Sequence, residues 1–184
     1  MGYLSLTHDQ QALLYLLHAY TGDSRGEFLW VKELHLNALI YYLITQGVFK
    51  EYDYAPSLIT FHGIKMYAKI SQEALWDLER FRRIGMVQKL KLSNKYYDDV
   101  GAYRLHNGIS KISVLVSDEV IEEVENAITC GGGYLTVTIT EHKKKSRTVL
   151  DAYLKCPNGK RMRINFFDVK RVEYSSKTYL PGGL

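Results

Sequence analysis

Between Ser71 and Leu92 the apolar residues change their spacing across a single glycine. Leu75, Leu78 and Phe81, with Trp76 beside them, recur at helical intervals. Gly85 follows, and Met86-Val87-Gln88-Lys89-Leu90-Lys91-Leu92 then alternates as a strand does. The spacing predicts a helix from Gln72 to Ile84 that opens on Ser71. It stops at Gly85, because a helix end favours a residue tolerant of positive φ. A strand that leaves directly from such a helix meets it with one face only, and so must alternate. The two periods side by side place the chain in the α+β class.

The flanking segments fit that class. Thr7 or Asp9 opens a first helix reaching Tyr20, with Leu13, Leu16, Leu17 and Tyr20 on its apolar face. A glycine-containing loop over 21–26 leads to a second helix, roughly Val31 to Gln46, with Leu36, Leu39, Ile40, Leu43 and Ile44 as its face and Gly47 at its end. Residues 48–63 read as extended or irregular, since Pro56 bars a helix there. A polar loop, Ser93 to Gly101, separates the strand after Gly85 from a short returning strand, Ala102 to Leu105, and Asn107-Gly108 marks a turn.

Beyond that turn, Ile112 to Val116 reads as a strand. Ser117 or Asp118 caps a short acidic helix to Ile128, with Val120, Val124 and Ile128 inward. After Gly131-Gly132-Gly133, three alternating runs predict an antiparallel meander: Tyr134 to Glu141, Thr148 to Cys156 and Lys160 to Phe167. Asn158-Gly159 is the strongest hairpin signal in the chain. Val169 to Tyr174 would add a fourth strand, and the tail from Leu180 reads as unstructured.

Composition removes whole classes. With 46% apolar and 24% charged residues, the 184-residue chain is neither disordered nor a disulfide scaffold. No apolar run reaches the ~18 residues that cross a bilayer, and the first six residues lack signal-peptide features. The expected location is the cytoplasm, with no membrane partner. Cys130 and Cys156 belong to no zinc pattern, and the six histidines are scattered. Free thiols are expected; a disulfide requires the flanking strands to set the two cysteines opposite each other. An excess of Tyr (15, against 6 Phe) suits interfaces or base stacking, and equally a compositional bias.

Charge is uneven. Residues 1–110 carry 12 basic and 11 acidic side chains, 111–140 one and five, and 141–184 eleven and four. Attraction to a polyanion should therefore be strongest in the last quarter.

The order helix, loop, helix, extended segment, capped helix, glycine, strand–loop–strand resembles a prokaryotic winged helix over about residues 7–110. The stretch from Ser71 to Val87 carries the resemblance, being similar to the family's third helix with its Leu-x-x-Leu-x-x-x-Gly-Leu-Val type of ending. Tyr103-Arg104-Leu105-His106-Asn107-Gly108 is similar to the closing wing strand and turn. Two domains are expected: a winged helix over 1–110, and over 111–184 a small α+β domain with an antiparallel meander and a basic hairpin. The second resembles no family.

The resemblance implies a DNA-binding transcriptional regulator whose C-terminal α+β domain would serve dimerisation, effector or partner binding; a homodimer would supply two recognition helices for a two-fold site. Gln72, Arg80, Arg82 and Arg83 lie on the helix that would enter the major groove. Lys89, Lys91, Lys95 and Arg104 would meet phosphates. Glu73, Asp77 and Glu79 on the same helix oppose this, because acids near phosphate repel. That opposition keeps a second reading open, in which the winged helix is only a scaffold for a protein partner.

A third reading assigns RNA or single-strand binding to the meander. One sheet face would show Tyr, Thr, Lys and Arg, and the hairpin Lys143-Lys144-Lys145-Ser146-Arg147 would be its basic tip. The plain alternative is a half-exposed sheet built of good strand formers. No catalytic pattern emerges. Gly131-Gly132-Gly133 lacks the end of a phosphate loop, Asp98-Asp99 has no partner pattern, Glu122, Glu123 and Glu125 form a wet helix face, and His62 stands alone. The expectation is a protein that is not an enzyme and takes no cofactor or metal.

Overall fold

The computed structural model describes residues 4–22, 29–94, 97–106 and 112–167, with backbone alone over 92–94 and 97–100. The fold is α+β with antiparallel sheets. Helix α1 (His8–Thr21) runs through its middle. Thr7 caps it in a reciprocal box: its hydroxyl accepts from the Gln10 amide at 3.2 Å, while the Gln10 side chain accepts from the Thr7 amide at 3.0 Å. Ala12, Leu13, Leu14, Leu16 and Leu17 are all fully buried, so the apolar part of this helix covers more than half of its circumference rather than one narrow stripe.

Strand β1 (Val31–Lys32) leads into α2 (Glu33–Thr45). A hairpin then intervenes, β2 (Ala55–Phe61) with β3 (Ile64–Ile70), paired from Ala55↔Ile70 to Phe61↔Ile64. Its turn is His62-Gly63, both at positive φ (48° and 76°). Helix α3 (Gln72–Arg83) follows, then β4 (Val87–Asn94) and β5 (Tyr97–Leu105). These strands and β1 form one sheet in the order β1-β5-β4.

The rest comprises α4 (Ile112–Leu115), α5 (Asp118–Ile128), the short pair β6 (Thr129–Cys130) and β7 (Gly133–Tyr134), and a meander. The meander is β8 (Thr136–Lys144), β9 (Arg147–Lys155) and β10 (Arg161–Ile164), ordered β10-β9-β8.

One hydrophobic core runs through both the N-terminal elements and α5 with the meander. Polar links cross the same boundary. Tyr20 donates to the Leu135 carbonyl at 2.5 Å, Ser117 N–H to Gln11 at 2.9 Å, and Lys69 N–H to the Phe166 carbonyl at 2.9 Å. Glu125 accepts from the hydroxyls of both Tyr15 and Tyr134, joining α1, α5 and β7. Asp9, 1% exposed, accepts from the amides of Lys50, Glu51 and Tyr52 at 2.9, 2.7 and 2.8 Å. It therefore pins the turn after α2 to the start of α1 rather than capping α1.

Several expectations are corrected. Cys130 and Cys156 are not free thiols; they form a disulfide with Cα atoms 5.4 Å apart. The Gly131–Gly133 turn and the Pro157-Asn158 turn pack together and bring them there: a Cβ on Gly133 would come within 2.8 Å of Pro157. Residues 112–116 begin as the single helical turn α4, not a strand, because Val116 N–H bonds back to the Ile112 carbonyl at 3.0 Å. The segment 48–63 is extended or irregular as expected, but its Ala55–Phe61 part is one strand of a hairpin whose second strand is Ile64–Ile70, a segment to which the sequence assigns no element. Pro56 is tolerated there in a two-stranded edge.

The expected loops 93–101 and 142–147 shrink as well. β4 and β5 run on to Asn94 and from Tyr97, and β8 and β9 are joined by Lys145-Ser146 alone, at φ 49° and 65°. Asn107-Gly108, Val169 to Tyr174 and the tail lie outside the described residues. Among the described residues, no helix is long and apolar enough to cross a membrane.

Candidate nucleic-acid interface

Helix α3 is held by its two ends and one face. The Ser71 hydroxyl accepts from the Ala74 amide at 3.3 Å, and Ala74, Leu78 and Phe81 are buried. At its end Met86 N–H donates to the Phe81 carbonyl at 2.8 Å and Gly85 N–H to Arg82 at 3.1 Å, with Gly85 at φ 80°. That is a Schellman closure, which needs the left-handed residue at this position. It turns the chain straight into β4.

The opposite face carries Gln72, Trp76, Arg80, Arg82 and Arg83, all exposed. Trp76 was expected on the apolar face but is 68% exposed, and Ile84 beyond it is 49% exposed.

Of the acids on α3, Asp77 leaves the outward face, while Glu79 stays on it beside the arginines. Asp77 turns inward: it accepts from Gln10 Nε2 at 3.0 Å and from the Tyr52 hydroxyl at 2.6 Å. Burial, and then Asp77, push the Tyr52 hydroxyl's pKa up, so it remains a donor. Glu79 accepts from Arg82 through Nε (2.8 Å) and Nη2 (2.6 Å), and from Arg83 Nε at 3.2 Å. The hydrogen bonds from Arg82 foremost, with those from Arg83, draw its carboxyl down to about 2. Glu73 lies at the other end, accepting from Ser71 at 3.3 Å.

The strands after α3 add further cations. Arg104 on β5 donates to Gln88 on β4 at 2.7 Å, and its guanidinium lies 4.3 Å from the Trp30 ring. Lys89 lies 3.8 Å from Glu33 and 5.3 Å from the Tyr103 ring, and Lys91 is exposed. Trp30, Arg82, Gln88, Lys89, Arg104 and His106 line one open cleft of about 480 Å³. Arg80 and Arg83 flank a second, smaller depression with Trp76 and Ile84.

The residues named from sequence therefore divide into groups. Arg82, Lys89 and Arg104 come together in one cleft, with Arg80 and Arg83 on the same helix end. Gln72 sits at the far end of α3, in a different cavity. Lys95 lies outside the described residues. Trp30 has no sequence signal, because a two-residue strand such as β1 leaves no periodicity to mark its neighbour, and His106 reads in sequence only as part of the closing wing strand and turn.

Lys143, Lys144, Lys145 and Arg147 are exposed at the tip of β8–β9, on the other sheet. Below the tip, register sets Thr136, Thr138 and Thr140 opposite Lys155, Tyr153 and Asp151, with Arg161 and Arg163 on the adjacent strand. Arg161 stacks over Tyr153 at 4.0 Å, and Arg163 bonds Asp151 at 2.7 Å, with His142 3.3 Å from the same carboxylate. Among the described residues, no cluster of three His, Cys, Asp or Glu could hold a metal ion.

The model of the Uncharacterized protein MJ1567 family matches this chain over residues 9–168, a span that includes α3, its cleft and the meander. No curated protein and no solved structure matches it.

Proposed function

The chain belongs to the Uncharacterized protein MJ1567 family, and from the disposition of its charges we propose that it binds double-stranded DNA as a winged helix and serves as a transcriptional regulator. One observation carries the reading. Arg80, Arg82 and Arg83 face outward from α3 beside Lys89, Lys91 and Arg104, while Asp77 points into the fold and Glu79 is satisfied by two arginines. The sheet order β1-β5-β4 around α1, α2 and α3 supports the winged-helix assignment, with the β2–β3 hairpin as an insertion before α3.

In this reading α3 enters the major groove, Arg80 and Arg83 reach bases, and Arg82, Lys89 and Arg104 meet phosphates. A homodimer places two such helices on a two-fold site.

Fluorescence anisotropy on mixed-sequence duplex at two salt concentrations tests it. Salt-sensitive duplex binding that disappears on reversing Arg80, Arg82 and Arg83 to Glu supports the reading. Duplex binding untouched by those reversals, or none at low salt, removes it. A second reading, single-stranded DNA or RNA on the meander, is favoured by Arg161 stacked on Tyr153 beside Lys155 and the lysine tip. It predicts preference for single strands and loss on reversing Lys143 to Lys145.

A further inference from the structure

Helix α3 closes the core through Ala74, Leu78 and Phe81. Gln72, Trp76, Arg80 and Arg83 follow one another at intervals of four, four and three residues, which sets them along one stripe on the other side. All four are exposed. Trp76, within that stripe, is 68% exposed. With Ile84 it gives apolar walls to the depression of about 390 Å³ that Arg80 and Arg83 flank.

An indole in this place adds nothing to the core. Alanine there would form the helix as readily and show less apolar surface to water. Single exposed apolar side chains are ordinary, whereas a contiguous patch rimmed by polar groups marks a contact site. Here a large ring and an isoleucine share one depression, and two arginines rim it.

Charge selects what covers the patch. A second copy of the chain fits it poorly. A two-fold contact centred on the depression turns Arg80, Arg82 and Arg83 toward the same three arginines, and Glu79 is already engaged by two of its own. A polyanion that offers apolar groups between its charges fits well, and duplex DNA is such a surface. The floor of its major groove carries the C5 methyl of every thymine, between two rows of phosphates. Duplex RNA offers neither that methyl nor a major groove open to side chains.

We propose that Trp76, with Ile84 beside it, packs on thymine methyl groups in the major groove and so gives α3 a preference for A·T pairs. Gln72, one turn earlier on the stripe, carries the amide that suits the adenine of such a pair. The proposal rests on α3 being the DNA-facing helix.

The test uses the full chain and two hairpin duplexes of alternating dA and dT, one with deoxyuridine in place of every thymidine. The probes carry the same charge and the same hydrogen-bonding groups in both grooves, and differ by the methyl. In anisotropy the deoxyuridine duplex should bind about fourfold more weakly for each methyl that the indole covers. Trp76→Ala should bind the two alike. The replaced ring lies on the surface and Ala favours helix, so the variant keeps the fold, which circular dichroism checks. Discrimination that survives in Trp76→Ala would trace to the stiffness of the duplex and overturn the proposal. Equal affinity of the unaltered chain for both probes would also overturn it; if that binding is still lost on reversing Arg80, Arg82 and Arg83 to Glu, the DNA reading stands without it. No binding to either duplex at low salt overturns both.

Discussion

The Cys130–Cys156 bond closes a loop with a sequence separation of 26, and its worth can be worked from that length. Loop-closure entropy gives about 3.5 kcal/mol at 25 °C, released from the unfolded chain when the bond is cut. A domain of this size shifts its melting temperature by ~2–4 °C per kcal/mol, so reduction should lower Tm by roughly 10 °C. The assay is a reversible thermal melt followed by circular dichroism, with and without reductant. Intact mass must show the loss of two hydrogens in the oxidised sample. The Cys130→Ala/Cys156→Ala variant should fall to the reduced value or slightly lower, because the Cys156 side chain is buried and leaves a small void. The loop being closed joins the end of α5 to the end of β9 through two packed turns, so little native rearrangement should accompany reduction. A fall of under about 2 °C, with the bond confirmed by mass, would refute the reasoning: the unfolded chain would then have to be as restricted without the bond as with it.

Three other outcomes follow from groups described above. Asp9→Asn should destabilise the fold by ~3–5 kcal/mol in urea, since three backbone amides lose the charged acceptor they share, itself buried. Burial opposes the Asp9 charge, but the Lys50 amide, His8 and the Tyr52 and Glu51 amides outweigh it and leave the pKa below its ordinary value. The stability Asp9 contributes is therefore complete above the unfolded carboxylate pKa of ~3.9 and lost as pH falls through the lower folded value, a slope the Asn variant should lack. Glu79→Gln should tighten duplex binding several-fold and steepen its salt dependence, because Arg82 and Arg83 lose their internal partner; unchanged anisotropy would count against α3 as the DNA-facing helix. Replacing Lys145-Ser146 by Asn-Gly should stabilise the β8–β9 hairpin by ~1 kcal/mol in chemical denaturation, since both positions sit at positive φ.

The parts legible in the sequence were those whose signal is local. Ser71 as a cap, the stop at Gly85 and the Asn158-Gly159 turn each need only a few residues to be read, and each stands where expected. The alternation of β8, β9 and β10 likewise sorted Thr138, Tyr153 and Arg163 onto one face, as the register has it. What stayed hidden depends on partners far along the chain. Nothing near Asp77 tells that Gln10 and Tyr52 wait for it, so it read as an obstacle to DNA. Cys130 and Cys156 meet only because two turns pack. The cavity that Gln72 lines is assembled from α2, a hairpin, α3 and β8, and no spacing within any one of them announces it. β3 was missed because Ile64 to Ile70 carries Lys65 and Lys69 on one side and Met66, Ala68 and Ile70 on the other, yet follows a proline-containing run that blurred its start.

Helix α1 has a consequence for how the molecule opens. Its leucines have no solvent side, and its neighbours include α3, β5 and α5. Whichever neighbour leaves first, the same leucines are stripped of cover, so partial openings that spare α1 are confined to the periphery, such as the β8–β9 tip. The amides in the middle of α1 should then exchange with deuterated solvent only when the whole chain unfolds. Their exchange free energy becomes a direct reading of global stability. Amides near Lys145 should exchange far sooner, reporting a hairpin that frays on its own schedule.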